Sequence, residues 1–234
     1  MHPAVPPNKP IITLMDAQLS PRPAKNYIRN LLFRDIASLR PTTSLDAGAG
    51  DLANYWMFPG KYCGVGKHLE RLKEGIAHAH NKKFFEQRGF PSLYRLDLDK
   101  DISFLGPFDL CVCTETIFYL DDPVSAVRRL IDTVRQGGNL IMDDRYLDRF
   151  DDYVDVLSSS FQDVTITFWG FDDLMRLKHV TNNKMKELSE TEMRAPNIQS
   201  IHSALYIKAT NKHAPSKSSL APPMVNLVDG IRIL

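Results

Sequence analysis

The sequence predicts an α/β protein with a doubly wound, mostly parallel sheet, Rossmann-like in plan. Three observations carry that expectation. Strand-like runs alternate with helical periodicity over about a hundred residues. One of them, Phe108–Cys113, is an apolar run of the kind buried on both faces of a parallel sheet. Another ends in Asp46-Ala-Gly48-Ala-Gly50, where glycines let the backbone turn sharply and leave bare main chain for a ligand.

Each element follows in order. Residues 1–23 are proline-rich without a clear period and read as an N-terminal arm. Ile28, Leu31, Leu32, Ile36 and Leu39 mark one helical face, and Pro41 stops that helix. Thr43–Ala47 is the first strand of the alternating pattern. A stub helix over about residues 52–57 is ended by Pro59-Gly60, and Lys61–Val65 is the next strand. Leu69, Leu72 and Ile76 give a helix, and Ser92–Leu96 a third strand. Asp121-Asp122-Pro123 supplies a cap and a first-turn proline for a helix with face Val124, Val127, Leu130, Ile131 and Val134. Gly137-Gly138 is expected to end it, and Asn139–Met142 is the fifth strand. Val164–Trp169 and Ile201–Lys208 read as late strands joined by a polar excursion with the character of a lid. The expected domain covers 24–210. Residues 211–223 are linker-like, and Met224–Leu234 turn apolar, for docking on this domain, on a second copy or on a partner.

Composition narrows the function classes. At 234 residues, one domain with a real core is expected. A net charge of +1, from 29 basic and 28 acidic residues, points away from nucleic acid and charged membranes. No apolar run approaches the ~18 residues of a membrane span. Cys63, Cys111 and Cys113 fall in expected buried strands, so free thiols in a reducing, cytoplasmic compartment fit best. Cys111-x-Cys113 has no second ligand pair nearby, so no metal is expected there.

Two nucleotide signatures are tested and set aside. Gly48-Ala-Gly50-Asp-Leu-Ala53 formally matches the dinucleotide fingerprint. The helix behind it is too short, and no acidic residue ends the second strand, which disfavours an NAD(P)-dependent oxidoreductase. Gly64-Val-Gly66-Lys67-His68 lacks the spacing and the Ser or Thr of a phosphate-binding loop.

The chain instead resembles class I S-adenosylmethionine-dependent methyltransferases. Asp46-Ala-Gly48-Ala-Gly50 looks like their first motif, and Leu96-Asp97 like the end of their third strand. Phe108–Pro123 is similar to their fourth strand and following loop, and Arg135–Met142 to their turn into the fifth strand. The resemblance implies an antiparallel C-terminal hairpin, S-adenosylmethionine as cofactor, and methyl transfer to an oxygen, nitrogen or carbon acceptor. The balanced charge suits a small-molecule acceptor, and the short link Asp51–Tyr62 resembles methyltransferases of glycan and secondary-metabolite pathways. It also implies roles. Gly48 and Gly50 seat the methionine part and ribose, and Asp46 holds the turn or reaches the ammonium through water. Asp97 accepts from the adenine amino group, and Thr114 and Glu115 border the methionine part. Asp46 capping the turn and Asp97 capping a helix are the plain alternatives.

Two departures stand out. Gly66 occupies the place of the acid that grips the ribose hydroxyls, which leaves Lys67, His68 or water to substitute. Leu52 replaces the third glycine of the first motif. Both keep open a second class of function, a catalytically inactive scaffold or binding subunit of the same fold. Glu115, Tyr119, Asp143, Asp144 and Tyr146 are expected at the substrate rim beyond the strand ends. For catalysis, Asp144 is the first candidate base and Glu115 the second, with Tyr119 where many relatives have histidine. Asp143-Asp144-Arg145 also reads as a solvated strand end with a local ion pair.

Overall fold

The central strands are buried almost throughout, and their side chains alternate between two core layers, one on each face of the sheet. The computed structural model describes residues 11–16, 25–144, 149–168, 170–171, 177–178, 205–213, 226–228 and 231–233. The strands are β1 (Ile11–Asp16), β2 (Thr43–Ala47), β3 (Lys61–Gly66), β4 (Ser92–Arg95), β5 (Phe108–Cys113) and β6 (Val134–Asp144). They continue with β7 (Phe161–Phe168), β8 (Gly170–Phe171), β9 (Leu177–Lys178), β10 (Leu205–Lys212), β11 (Asn226–Val228) and β12 (Ile231–Ile233). The helices are α1 (Lys25–Leu39), α2 (Leu69–Asn81), α3 (Phe84–Arg88), α4 (Pro123–Thr133) and α5 (Phe150–Ser158).

Ten strands form one sheet in the order β1-β7-β10-β6-β5-β2-β3-β4-β12-β11. Its centre, β6-β5-β2-β3-β4, is parallel, and β10 inserts antiparallel between β6 and β7. This is the doubly wound, mostly parallel sheet with the antiparallel C-terminal pair that was expected. Leu110, Val112 and Ile141 face the side where α1 and α2 pack, through Ile28, Leu32, Ile36 and Leu72. Cys111, Cys113, Leu140 and Met142 face the other, against Val127, Leu130, Tyr153 and Leu157 of α4 and α5. The three cysteines are buried and outside any disulfide, and burial pushes the Cys111 thiol up to about 12.

Both edges of the sheet are extended. β1, within the N-terminal arm, pairs parallel with β7. In the C-terminal tail, β12 pairs parallel with β4 and brings β11 with it, and Ile231 is fully buried.

The structure corrects one boundary. The glycine pair does not end α4. That helix stops at Thr133, and β6 begins at once. The buried Lys212 ammonium, arriving from β10, donates to the carbonyls of Ile131 and Val134. It satisfies carbonyls a glycine cap would otherwise have served. Gly137, at φ +74°, instead lies in an irregular stretch of β6 between the pairs Phe108–Val134 and Asn139–Leu110. The excursion expected to be a lid lies almost wholly outside the described residues, as does most of the linker-like stretch.

Candidate active site

The turn after β2 is stitched to its neighbour before any ligand arrives. The amides of Gly48 and Ala49 both donate to the Val65 carbonyl, each at 2.8 Å. Gly48 sits at φ +89° and Gly50 at φ +52°, left-handed conformations that favour glycine. A Cβ on Gly48 would also lie 2.0 Å from the Thr116 hydroxyl oxygen. Leu52, where the resemblance leads one to expect glycine, adopts φ +57° all the same. Its side chain is buried beside Gly75 of α2, where a Cβ would come within 2.7 Å of Leu52 Cγ and 2.6 Å of the Asp51 carbonyl carbon. The space for Leu52 is therefore made by a glycine in the facing helix.

This turn forms one wall of a cavity of about 520 Å³ beyond the carboxyl ends of the parallel strands. The cavity gathers Gly48, Gly50, Lys67, Asp97, Thr114, Glu115 and Tyr119 from the residues singled out in the sequence. Asp46 and Asp144 do not line it.

Asp46 lies beneath the turn, 2 % exposed, and accepts a hydrogen bond from the Tyr62 hydroxyl at 2.8 Å. Burial raises its carboxyl to about 7, against the opposing pull of Tyr62 and with help from the Asp51 charge. Its carboxylate thus engages β3, the strand whose Val65 carbonyl also receives the amides of the turn. Asp144 is fully buried at the end of β6, where it accepts from the Tyr153 hydroxyl at 2.5 Å and from Arg149 at 3.2 Å. The alternative of a solvated strand end does not describe it. Tyr146, expected near the same rim, lies outside the described residues.

Asp97 pairs with the Lys67 ammonium at 2.8 Å, and this hydrogen bond lowers its carboxyl against partial burial. It also accepts from the Asp99 amide at 3.2 Å, a local turn contact. At Gly66 a side chain would press on Leu72, 3.2 Å away, so glycine here lets α2 approach β3 closely.

At the end of β5, Thr114 accepts from Asn54 at 3.3 Å. Glu115 takes the left-handed φ of +55°, held by its amide, which donates to Asp143 at 2.7 Å. A non-glycine residue in this conformation, at a strand end over a cavity, is the kind of local strain that collects at functional sites. Tyr119 is well exposed on the short turn Ile117–Tyr119.

The structure adds residues the sequence reading passed over. Arg29 and Leu32 of α1, Asn54, Arg71 and Thr116 all line the cavity, as does Asp51, which the sequence already set beside the turn. The Asn54 side-chain oxygen is buried with no partner. Arg29 lay in plain view on the same face as Leu32, but charge on an amphipathic helix ordinarily means solvent.

No protein-family model matches the sequence, and no curated protein does. Solved structures do. The N-methyltransferase NodS from Bradyrhizobium japonicum, in complex with S-adenosyl-L-homocysteine, is 14 % identical at a TM-score of 0.56, over 81 % of this chain and 88 % of that one. The StiE O-methyltransferase region is 15 % identical at 0.54, over 82 % and 76 %. Magnesium protoporphyrin IX methyltransferase from Synechocystis, with S-adenosylmethionine bound, is 14 % identical at 0.51, over 80 % and 77 %. The chain has the class I methyltransferase fold. Within that fold, the glycine turn, the end of β4 and the end of β5 surround one cavity. Among the described residues, no helix is long and apolar enough to cross a membrane.

Proposed function

We propose that this methyltransferase-fold protein transfers a methyl group from S-adenosylmethionine to a small-molecule acceptor. One observation carries the reading: the left-handed glycine turn shares a cavity with Asp97, Thr114 and Glu115. A volume of about 520 Å³ suits a small ligand. The donor set suits a nucleoside joined to a zwitterionic amino acid. Asp97 offers an acceptor for an adenine amino group, Asp51 and Glu115 offer charge to an ammonium, and Arg71 offers it to a carboxylate. Bare main chain at Gly48 and Gly50 gives the ribose and the sulfur chain room to approach.

The cofactor supplies an electrophilic methyl group on a positively charged sulfur. The chain's task is alignment in a site screened from water by Leu32, Leu96, Leu98 and Leu120. Where the acceptor is an alcohol or amine, Glu115 takes its proton, and Tyr119 orients it at the rim. We assign Asp144 a structural role instead, because Tyr153 and Arg149 occupy its carboxylate away from the cavity. Asp46 supports the turn from below.

A second reading is a binding subunit without turnover. Gly66 in the ribose position and the Lys67–Asp97 pair favour it, since an adenine reaching Asp97 competes with Lys67. Calorimetry with S-adenosylhomocysteine, followed by an assay of S-adenosylmethionine consumption, tests both. Binding with turnover supports methyl transfer. Binding without turnover across an acceptor panel supports the binding subunit. No heat at millimolar ligand overturns methyl transfer and favours the scaffold.

A further inference from the structure

Four large apolar side chains are exposed among the described residues: Phe33, Trp56, Phe90 and Tyr119. Three of them belong to segments that line the cavity. Tyr119 lines it directly. Phe33 and Trp56, 46 % and 38 % exposed, stack on each other with centroids 5.3 Å apart and planes 29° from parallel. Phe33 follows Arg29 by one helical turn on α1, so the two share a face. Trp56 follows Ala53 and Asn54, which also line the cavity. The stacked pair is therefore a ledge carried by two segments that also supply the cavity wall.

Arg29 adds a charge to that ledge. Among the described residues no carboxylate pairs with it. An unpaired guanidinium beside an uncovered aromatic stack complements one kind of molecule, a flat apolar ring bearing an anion. The ring covers apolar surface that otherwise meets water, and the planar guanidinium suits a carboxylate held by two hydrogen bonds. We infer that the acceptor is a planar aromatic acid, its ring laid on Phe33 and Trp56 and its carboxylate drawn to Arg29. The word acceptor rests on the methyl-transfer reading above. The binding surface does not.

The test uses naphthoate and its uncharged analogue naphthamide. Both are titrated against the full chain with and without S-adenosylhomocysteine, followed by Trp56 fluorescence in a Trp169→Phe background. That background leaves Trp56 as the remaining one of the two tryptophans. Naphthoate is expected to bind about tenfold more tightly than naphthamide, the ratio that one charge-assisted contact supplies. Arg29→Gln should remove that preference while leaving naphthamide unchanged. Trp56→Leu, read by calorimetry, should weaken both. Arg29 and Trp56 are partly exposed, so their variants should fold, and unchanged thermal unfolding checks it.

Equal binding of the two probes, or no binding of either, overturns the inference. So does a charge preference that survives Arg29→Gln. A Trp56 signal that changes with protein concentration instead would make the ledge a contact between copies and also overturn it. S-adenosylhomocysteine binding without naphthoate binding defeats this inference alone. Naphthoate binding without S-adenosylhomocysteine binding defeats the function proposed above.

Discussion

Asp46 is a residue whose chemistry departs from its sequence context. It sits under the glycine turn with a carboxyl raised to about 7 by burial. Below pH about 4 it is protonated in the native and unfolded chains alike. As pH rises toward about 7 the unfolded chain ionises while the native site stays protonated, so stability falls with rising pH and the loss levels off above that value. Asp46→Asn keeps an acceptor for Tyr62 and removes the ionisation. Its melting temperature is expected to be flatter than the wild type's between pH about 4 and about 7, by scanning calorimetry across that range. A parallel decline in both proteins would show that another group is responsible. Gly75 gives a second test at this scale. Alanine in a helix interior ordinarily stabilises by about 1 kcal/mol over glycine. Here the added Cβ meets the Asp51 backbone, so Gly75→Ala should destabilise and weaken S-adenosylhomocysteine binding. Denaturant unfolding and calorimetry on the one variant read both effects.

At the scale of elements, α4 shows how a distant residue ends a helix. Asp122 caps its start by accepting from the Ser125 amide at 3.0 Å, as the Asp-Asp-Pro run implied. Its end depends on Lys212, far along the chain, with its ammonium buried against two carbonyls. Lys212→Met should cost about 1.5–3 kcal/mol, the range for hydrogen bonds to a charged group, as urea unfolding would measure. A change near zero would mean that water serves the two carbonyls equally well. The same logic explains why the glycine pair misled: glycines near a helix end resemble a cap, but here they serve an irregular strand.

The whole molecule is a sheet whose edges are closed by segments that look like tails. β12 covers the β4 edge, next to the strand end that carries Asp97 into the cavity. A chain ending before Met224 should lose stability and gain concentration-dependent self-association, because the uncovered β4 edge offers unpaired backbone groups. Sedimentation velocity over a range of concentrations would show it. Unchanged melting and a single species would mean that β12 contributes little.

The sequence by itself determined the alternation of strands and helices, the glycine turn and the two-faced core. Each rests on local pattern: period two in strands, period 3.6 in helices, and a backbone conformation that favours glycine. It also named the part of the cavity wall that lies at the strand ends, because strand ends in a parallel sheet converge on one side. Only the tertiary structure decided what depends on neighbours remote in sequence. It buried Asp46 and Asp144 away from the cavity, paired Asp97 with Lys67, and brought Arg29 to the wall beside an exposed aromatic stack. A carboxylate's role is set by what surrounds it, and those surroundings come from elements that meet only when the sheet is assembled.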